Sequence, residues 1–448
     1  MWLGALGAFC PDLAHAQVSG TWTGPGGEWT TGGNWTSTPT ANTVPDDIAT
    51  FTNNGAPTSV TISNSTSINT IEFDVAAPAY SFTVQDGATF TITNQISPGS
   101  SLLPAFTVNT SATMALGDGA FAEIASLAGG GNVVVGPSDP STTLIISGSN
   151  STTFSGRLSG AGTLEIDGGA VLTLTGQGST IGGVDLCNCD ANGGLTINGG
   201  SLNVTDPGLG TVVEGGTLSV INGGTLQTPS LAVVFSSAMV IDGAGSTVTV
   251  SPSGLTEFAS IGGPVSVTIS NGGVLNTPGL VAIDAGDPVF TPTVTVTGSG
   301  STWNVGSLAV GGSGTFEGPG ILTISNGGVV NATGPLGVGD PTGTSMLTVT
   351  GAGSVLNALT SLVVGDTSCG CGLIGTLTVA DGGVVNSPGF TGIAQGSTLN
   401  LGTGGLAGGI NTPAIDNEGQ IVANFTDTLT LAADISGAGT LGKAGWAR

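Results

Sequence analysis

The sequence predicts an all-β fold, a parallel β-helix wound in coils of about 27 residues. Three observations predict it: composition, a repeat, and the pattern inside each repeat. Of 448 residues 81 are Gly, only 7% are charged and 39% are hydrophobic, which is too apolar for a disordered chain. The apolar residues are mainly Val, Leu and Ile set among Thr and Ser, the composition of strands. There is no Gly-X-Y period of the collagen kind.

The repeat is direct. "VTISNGGVLNTPG" (Val267–Gly279) returns as "LTISNGGVVNATG" (Leu322–Gly334) and as "LTVADGGVVNSPG" (Leu377–Gly389). From Asn271 to Asn326, and again from Asn326 to Asp381, the copies advance by equal steps. A second form lies midway between them, "VTVTGSGSTWNVG" (Val294–Gly306) and "LTVTGAGSVLNAL" (Leu347–Leu359), with an earlier relative at Met239–Ser251. The double unit therefore divides into half-units of about 27 residues, a solenoid period.

Within a half-unit, Val267 and Ile269 alternate with Thr268 and Ser270, the period of two of a half-buried strand. Asn271-Gly272-Gly273 tolerates positive φ and so permits a sharp corner. Val274 and Leu275 resume the apolar pattern, and "SLAVGG" (Ser307–Gly312), "PLGVGD" (Pro335–Asp340) and "SLVVGD" (Ser361–Asp366) add a third short strand. One such coil cannot bury its apolar side chains alone; stacked on its neighbours it can. Val267, Ile269, Ile324, Leu347, Val349, Leu377 and Val379 are expected to face inward.

The ends read differently. Residues 1–16 resemble the later part of a secretory signal peptide: Trp2–Cys10 is apolar, and Ala14-His15-Ala16 fits a small-x-small cleavage site after Ala16. The run is too short to span a membrane. Residues 17–100 form a Trp-rich beginning. Trp22, Trp29 and Trp35 are expected to close the open apolar end of the solenoid, with carbohydrate stacking as the alternative use. Residues 101–434 are the main β-helix, and 435–448 read as a truncated final repeat.

Charge excludes some functions. Lys plus Arg total 3 against 28 Asp plus Glu, a net charge of −25. Nucleic-acid backbones need clustered cations, and Arg157, Lys443 and Arg448 are scattered. The single His is His15, inside the expected signal. The mature chain thus lacks the residue for Ser-His-Asp or Cys-His catalysis and for His-ligated zinc. No catalytic residue, cofactor or metal ligand is assigned. Asp284, Asp340 and Asp366 recur at related places and read as turn caps, with a carboxylate edge for sugar chemistry as the alternative. Cys187 and Cys189 form one Cys-x-Cys pair, and Cys369 and Cys371 form another. Several coils separate the pairs, ~30 Å along a solenoid axis. One pair cannot bridge the other over that distance, so each is local and loop-borne; the expectation is a small intraloop disulfide formed in an oxidising compartment, with free thiols as the alternative.

Several segments carry a family resemblance. "GSGSTWNVGSLAVG" (Gly298–Gly311) and "TISNGGVVN" (Thr323–Asn331) resemble the repeats of large bacterial autotransporter passengers, the type V secretion system. "LSGAGTLEIDGGAVLTLTG" (Leu158–Gly176) resembles the passenger-associated transport repeat, and "ISGAGTLGKAG" (Ile435–Gly445) is similar to the opening of another. The resemblance implies a right-handed β-helix, exported through the periplasm and carried to the cell surface or secreted by an outer-membrane translocator barrel as partner. No alternating barrel segments follow Ile435, so the expectation is a passenger without its translocator. The expected role is structural or adhesin-like display towards a surface glycan or protein, not enzymatic. A surface carbohydrate-active enzyme on the same scaffold is the alternative.

Overall fold

The computed structural model describes residues 16–24, 26–54, 58–99, 102–187, 193–287, 289–312, 318–365 and 372–444. They form strands and connections, with one short 3-10 turn at Gly32–Asn34. The chain winds about 16 times as a parallel β-solenoid.

Each central coil holds three strand segments. Ser266–Ser270 is the first, and the long strand Val274–Ala285 supplies the second and third. First segments stack on one another in one ladder; second and third segments share a 30-stranded sheet. Val274–Ala285 pairs with Thr302–Val310 along its length, with a register shift between Thr277 and Leu280 where second segment becomes third.

The expected core positions are the core. Val267, Val294, Leu322, Leu347, Leu377 and Leu399 lie in register in consecutive coils, and so do Ile269, Val296, Ile324, Val349, Val379 and Leu401. All twelve are buried. Each removes its side chain from water for about 1.5–3 kcal/mol, and neighbours above and below supply the contacts that a lone coil lacks.

The turns explain the double period. Asn271, Asn326 and Asp381 take φ of 50°, 52° and 51°, each followed by a Gly at positive φ. The intervening coils turn on Gly-x-Gly instead, with Gly298 and Gly300 at 89° and 85°. The two forms interlock. The Gly272 amide donates to Ser301 Oγ at 3.1 Å, and the Gly327 amide to Ser354 Oγ at 3.0 Å. Those serines in turn donate to the carbonyls of Thr297 and Thr350. A turn with a spare amide thus stacks beneath one with a hydroxyl acceptor, and the pair repeats as a unit.

Coil length departs from expectation. In the centre Ser266 pairs with Thr293, and Thr293 with Ile321, which matches the expected advance. Elsewhere Ser59 pairs with Ser81, Thr152 with Leu172 and Thr376 with Thr398. Those coils are shorter by roughly a fifth to a quarter, so the expected length of about 27 residues describes the centre alone. The ladder constrains only the strand segments, and loops between them change length without disturbing it.

At the beginning, Ser19–Trp22 pairs antiparallel with Trp35–Thr38 and parallel with Ile48–Phe51. Trp22, Trp29 and Trp35 are buried there. Trp35 packs edge-on to Trp22 at 5.0 Å and to Trp29 at 4.8 Å, and its Nε1 donates to the Trp29 carbonyl at 2.8 Å. Phe51, Tyr80, Phe82 and Phe90 continue the cluster. Indoles enclosed in this way are not available to stack on a sugar, which removes that alternative use. Parallel pairing is already established at Ile48–Phe51 and continues to Thr440–Lys443.

Candidate functional site

Outward positions of the third strand segment align from coil to coil in one column. Its members include Glu123, Glu165, Asp185, Glu257, Ala309, Gly337, Val363, Gly392 and Asp416. In a protein with few charged side chains, this column gathers five carboxylates on one face. Strand alternation puts them there: Leu164 and Ile166 face inward, so Glu165 between them faces out.

The carboxylates are not equivalent. Glu165 and Asp185 are direct register partners on adjacent strands. Burial raises the Glu165 pKa, and the charges of Asp185, Asp167 and Glu123 raise it further. Burial also raises Asp185, with Glu214 adding to it. Burial alone raises Glu257. Asp185 Oδ1 and Glu257 Oε1 are enclosed without a hydrogen-bond partner among the described residues. Glu123, by contrast, accepts a hydrogen bond from Ser147 Oγ at 2.7 Å. A partly buried carboxyl with its pKa raised holds its proton to higher pH than a free one, which is the property a general acid needs.

Further along the same column the side chains become small and a groove opens, with a volume of about 510 Å³. Ala309 and Gly337 lie in its floor; Pro335, Val363, Leu373 and Phe390 line it, and Asp416 and Glu418 stand at one end. A Cβ built on Gly337 would meet nothing within 4 Å, whereas one on Gly392 would lie 2.9 Å from Phe390 Cε1. Gly337 thus leaves the groove open, and Gly392 lets the Phe390 ring settle against the backbone. Phe390 is 42% exposed.

A second column runs beside the first. Asn304 donates through Nδ2 to Asn276 Oδ1 at 2.8 Å, Asn331 to Asn304 at 2.8 Å, and Asn357 to Asn331 at 2.7 Å. Asn386 and Asn411 extend the series at 2.7 and 2.8 Å. Every amide in this six-membered ladder points the same way. Its signal is in the sequence, since "VLN", "TWN" and "VVN" recur at one place in each half-unit; only its register converts the repetition into a bonded column.

Other expected residues fall elsewhere. Asp340 is buried and caps a turn: its Oδ1 accepts from the Thr342 and Gly343 amides at 2.7 and 2.9 Å, and Oδ2 from the Gly312 amide at 3.2 Å. Asp284 is likewise buried in its strand, so these two aspartates do not form an outward carboxylate edge. Arg157 is exposed and its Nε donates to the Gly178 carbonyl at 2.8 Å. Cys187 is disulfide-bonded. Cys189, Cys369, Cys371, Asp366 and Ala14 lie outside the described residues; Ala16 is exposed. Among the described residues no group of three or more His, Cys, Asp or Glu could hold a metal ion, and no helix is long and apolar enough to cross a membrane.

No family model and no curated protein matches the chain. Among solved structures it is similar to the TibC-catalyzed hyper-glycosylated TibA55-350 fragment, at 15% identity and a TM-score of 0.34, over 87% of this chain and 100% of that one.

Proposed function

We propose that the chain is an autotransporter passenger, exported through the periplasm to the cell surface or secreted, which works by display and adhesion-like contact. The observation that carries this reading is the long parallel solenoid itself, built from the repeats whose motifs resemble those of such passengers. Each coil bonds only to its neighbours, so the structure can grow one coil at a time from one end. A chain that must cross a membrane unfolded and fold beyond it needs this property. The partner in this reading is an outer-membrane translocator barrel, and no cofactor is required. Fusing residues 17–448 to an intact translocator barrel tests it. The fused chain is expected at the cell surface, where added protease digests it. Protection of the fusion, on a barrel that exposes another passenger normally, would refute the export reading.

One observation favours a second reading, a surface carbohydrate-active enzyme: Glu165 and Asp185 are register partners on one outward face, and burial raises the pKa of each. Its test is turnover of a polysaccharide by the purified chain, lost on Glu165→Gln or Asp185→Asn. Absence of turnover across neutral and acidic polysaccharides would leave display as the function.

A further inference from the structure

We infer that the groove beside Phe390 binds a neutral saccharide. Its size lies within the range of small-ligand sites. Its floor lies where the outward column turns small: Ala282, Ala309 and Gly337 follow one another there, whereas Glu123, Ile145, Glu165, Asp185 and Val212 fill the same position in earlier coils. Among the described residues, the charged ones lining it are Asp416 and Glu418, and neither described cation, Arg157 or Lys443, is among them. A net charge of −25 deepens the effect. Phosphates, sulfates and uronates are therefore repelled. Ionised carboxylates only accept hydrogen bonds, so the ligand must supply donors. It must also offer an apolar surface to Phe390, Val363, Leu373 and Pro335. Sugar rings meet both demands, with hydroxyl donors at the edge and C–H groups on the face that pack on an aromatic ring. The column from Ala309 to Asp416 crosses four coil steps of ~4.8 Å, so the ligand has roughly 20 Å in which to lie along the axis.

The inference rests on the display reading for its biological role but not for its test, which uses the purified full chain. Its failure would leave export untouched, and failure of export would leave binding measurable. The probes are neutral gluco-, manno-, galacto- and N-acetylglucosamine oligomers, with uronic-acid oligomers and spermidine as charged counterparts, read by titration calorimetry. At least one neutral oligomer is expected to bind. Gly337→Leu should abolish binding by filling the groove from a position where added atoms meet open space. Phe390→Ala should weaken it about tenfold or more, and Asp416→Asn should weaken it too. Thr295→Ala, on the other ladder, should leave it unchanged. Equal melting temperatures certify the fold, and Phe390→Ala carries the test if Gly337→Leu does not fold. The inference is overturned if no neutral oligomer binds, if binding survives Gly337→Leu in a folded protein, or if spermidine or a uronate binds more tightly.

Discussion

Replacing Asn331 by Ala removes one rung from the middle of the amide ladder. Asn331 donates to Asn304 Oδ1 at 2.8 Å and accepts from Asn357 Nδ2 at 2.7 Å. Two bonds are lost, each with a net worth of about 1 kcal/mol at a half-buried position, so the expected cost is about 2 kcal/mol. Asn411, at the ladder's end, contributes one bond to Asn386 from an exposed site, and Asn411→Ala should cost about 1 kcal/mol or less. Asn331→Asp keeps the acceptor but loses the donor, and sets a carboxylate against Asn304 Oδ1. It should cost more than Ala at neutral pH and less once protonated. A solenoid need not unfold in one step, so hydrogen exchange is the better assay beside urea denaturation. Amides of Thr302–Val310, Val329–Ala332 and Val355–Ala358 should lose protection first. If Asn411→Ala proves as costly as Asn331→Ala, or if Asn331→Ala costs under about 0.5 kcal/mol, the ladder does not stabilise the fold.

Ile324 is buried between Val296 and Val349; Ile324→Ala should cost about 2–5 kcal/mol, and Ile324→Asp should unfold the adjoining coils, both read as urea midpoints. For Glu165, Asp185 and Glu257 the folded pKa lies above the unfolded one, so the folded state holds more protons between the two. Their contribution therefore favours folding in acid and declines as pH rises from about 4 through the raised values; Glu165→Gln should flatten that part of a melting-temperature profile. Glu28 runs the other way: burial works against its charge, but hydrogen bonds from Ser63 and Thr30 outweigh it and lower its pKa, so its contribution is present above the ordinary carboxylate value and lost on acidification. Thiol labelling of the non-reduced protein should leave Cys187 unmodified until a reductant is added.

The interior was legible in the sequence because alternation has a short, local signature. Val267 and Ile269 are identifiable as core from their immediate neighbours, and so are the Asn271 and Asn326 corners from the Gly that follows. The carboxylate column was not legible. Glu165 and its partner Asp185 are separated by a short coil, and Glu257 and its partner Ala282 by a longer one. With loop lengths varying, no fixed spacing marks the column, and each acid looks like a lone solvent-facing residue. The groove is harder still, since it exists only where the outward residues of several coils are small at once. Asp284 and Asp340 had the opposite fault: their related places invited a shared role, but Asp284 is buried within a strand and Asp340 caps a turn.

The separation of inward from outward residues bears on how such a chain acquires a binding surface. Within the repeats the inward side chains and the turn residues hardly vary, because each is gripped by the coils on either side. The outward residue of the third segment is free of that grip. Ala282, Ala309, Gly337, Val363, Gly392 and Asp416 succeed one another in a single column, while the inward residues beside them are mostly Val, Leu or Ile. Exchanging one of them changes the surface at one place and leaves the ladder intact. Substitutions two or more coils apart along this column are ~10 Å apart, far enough for their effects on stability to add. Gly337→Leu combined with Glu257→Gln, three coils away, should therefore shift stability by the sum of the single shifts. A coupling above about 0.5 kcal/mol would mean that the coils communicate through the core, and that the surface is not free to vary independently of the fold.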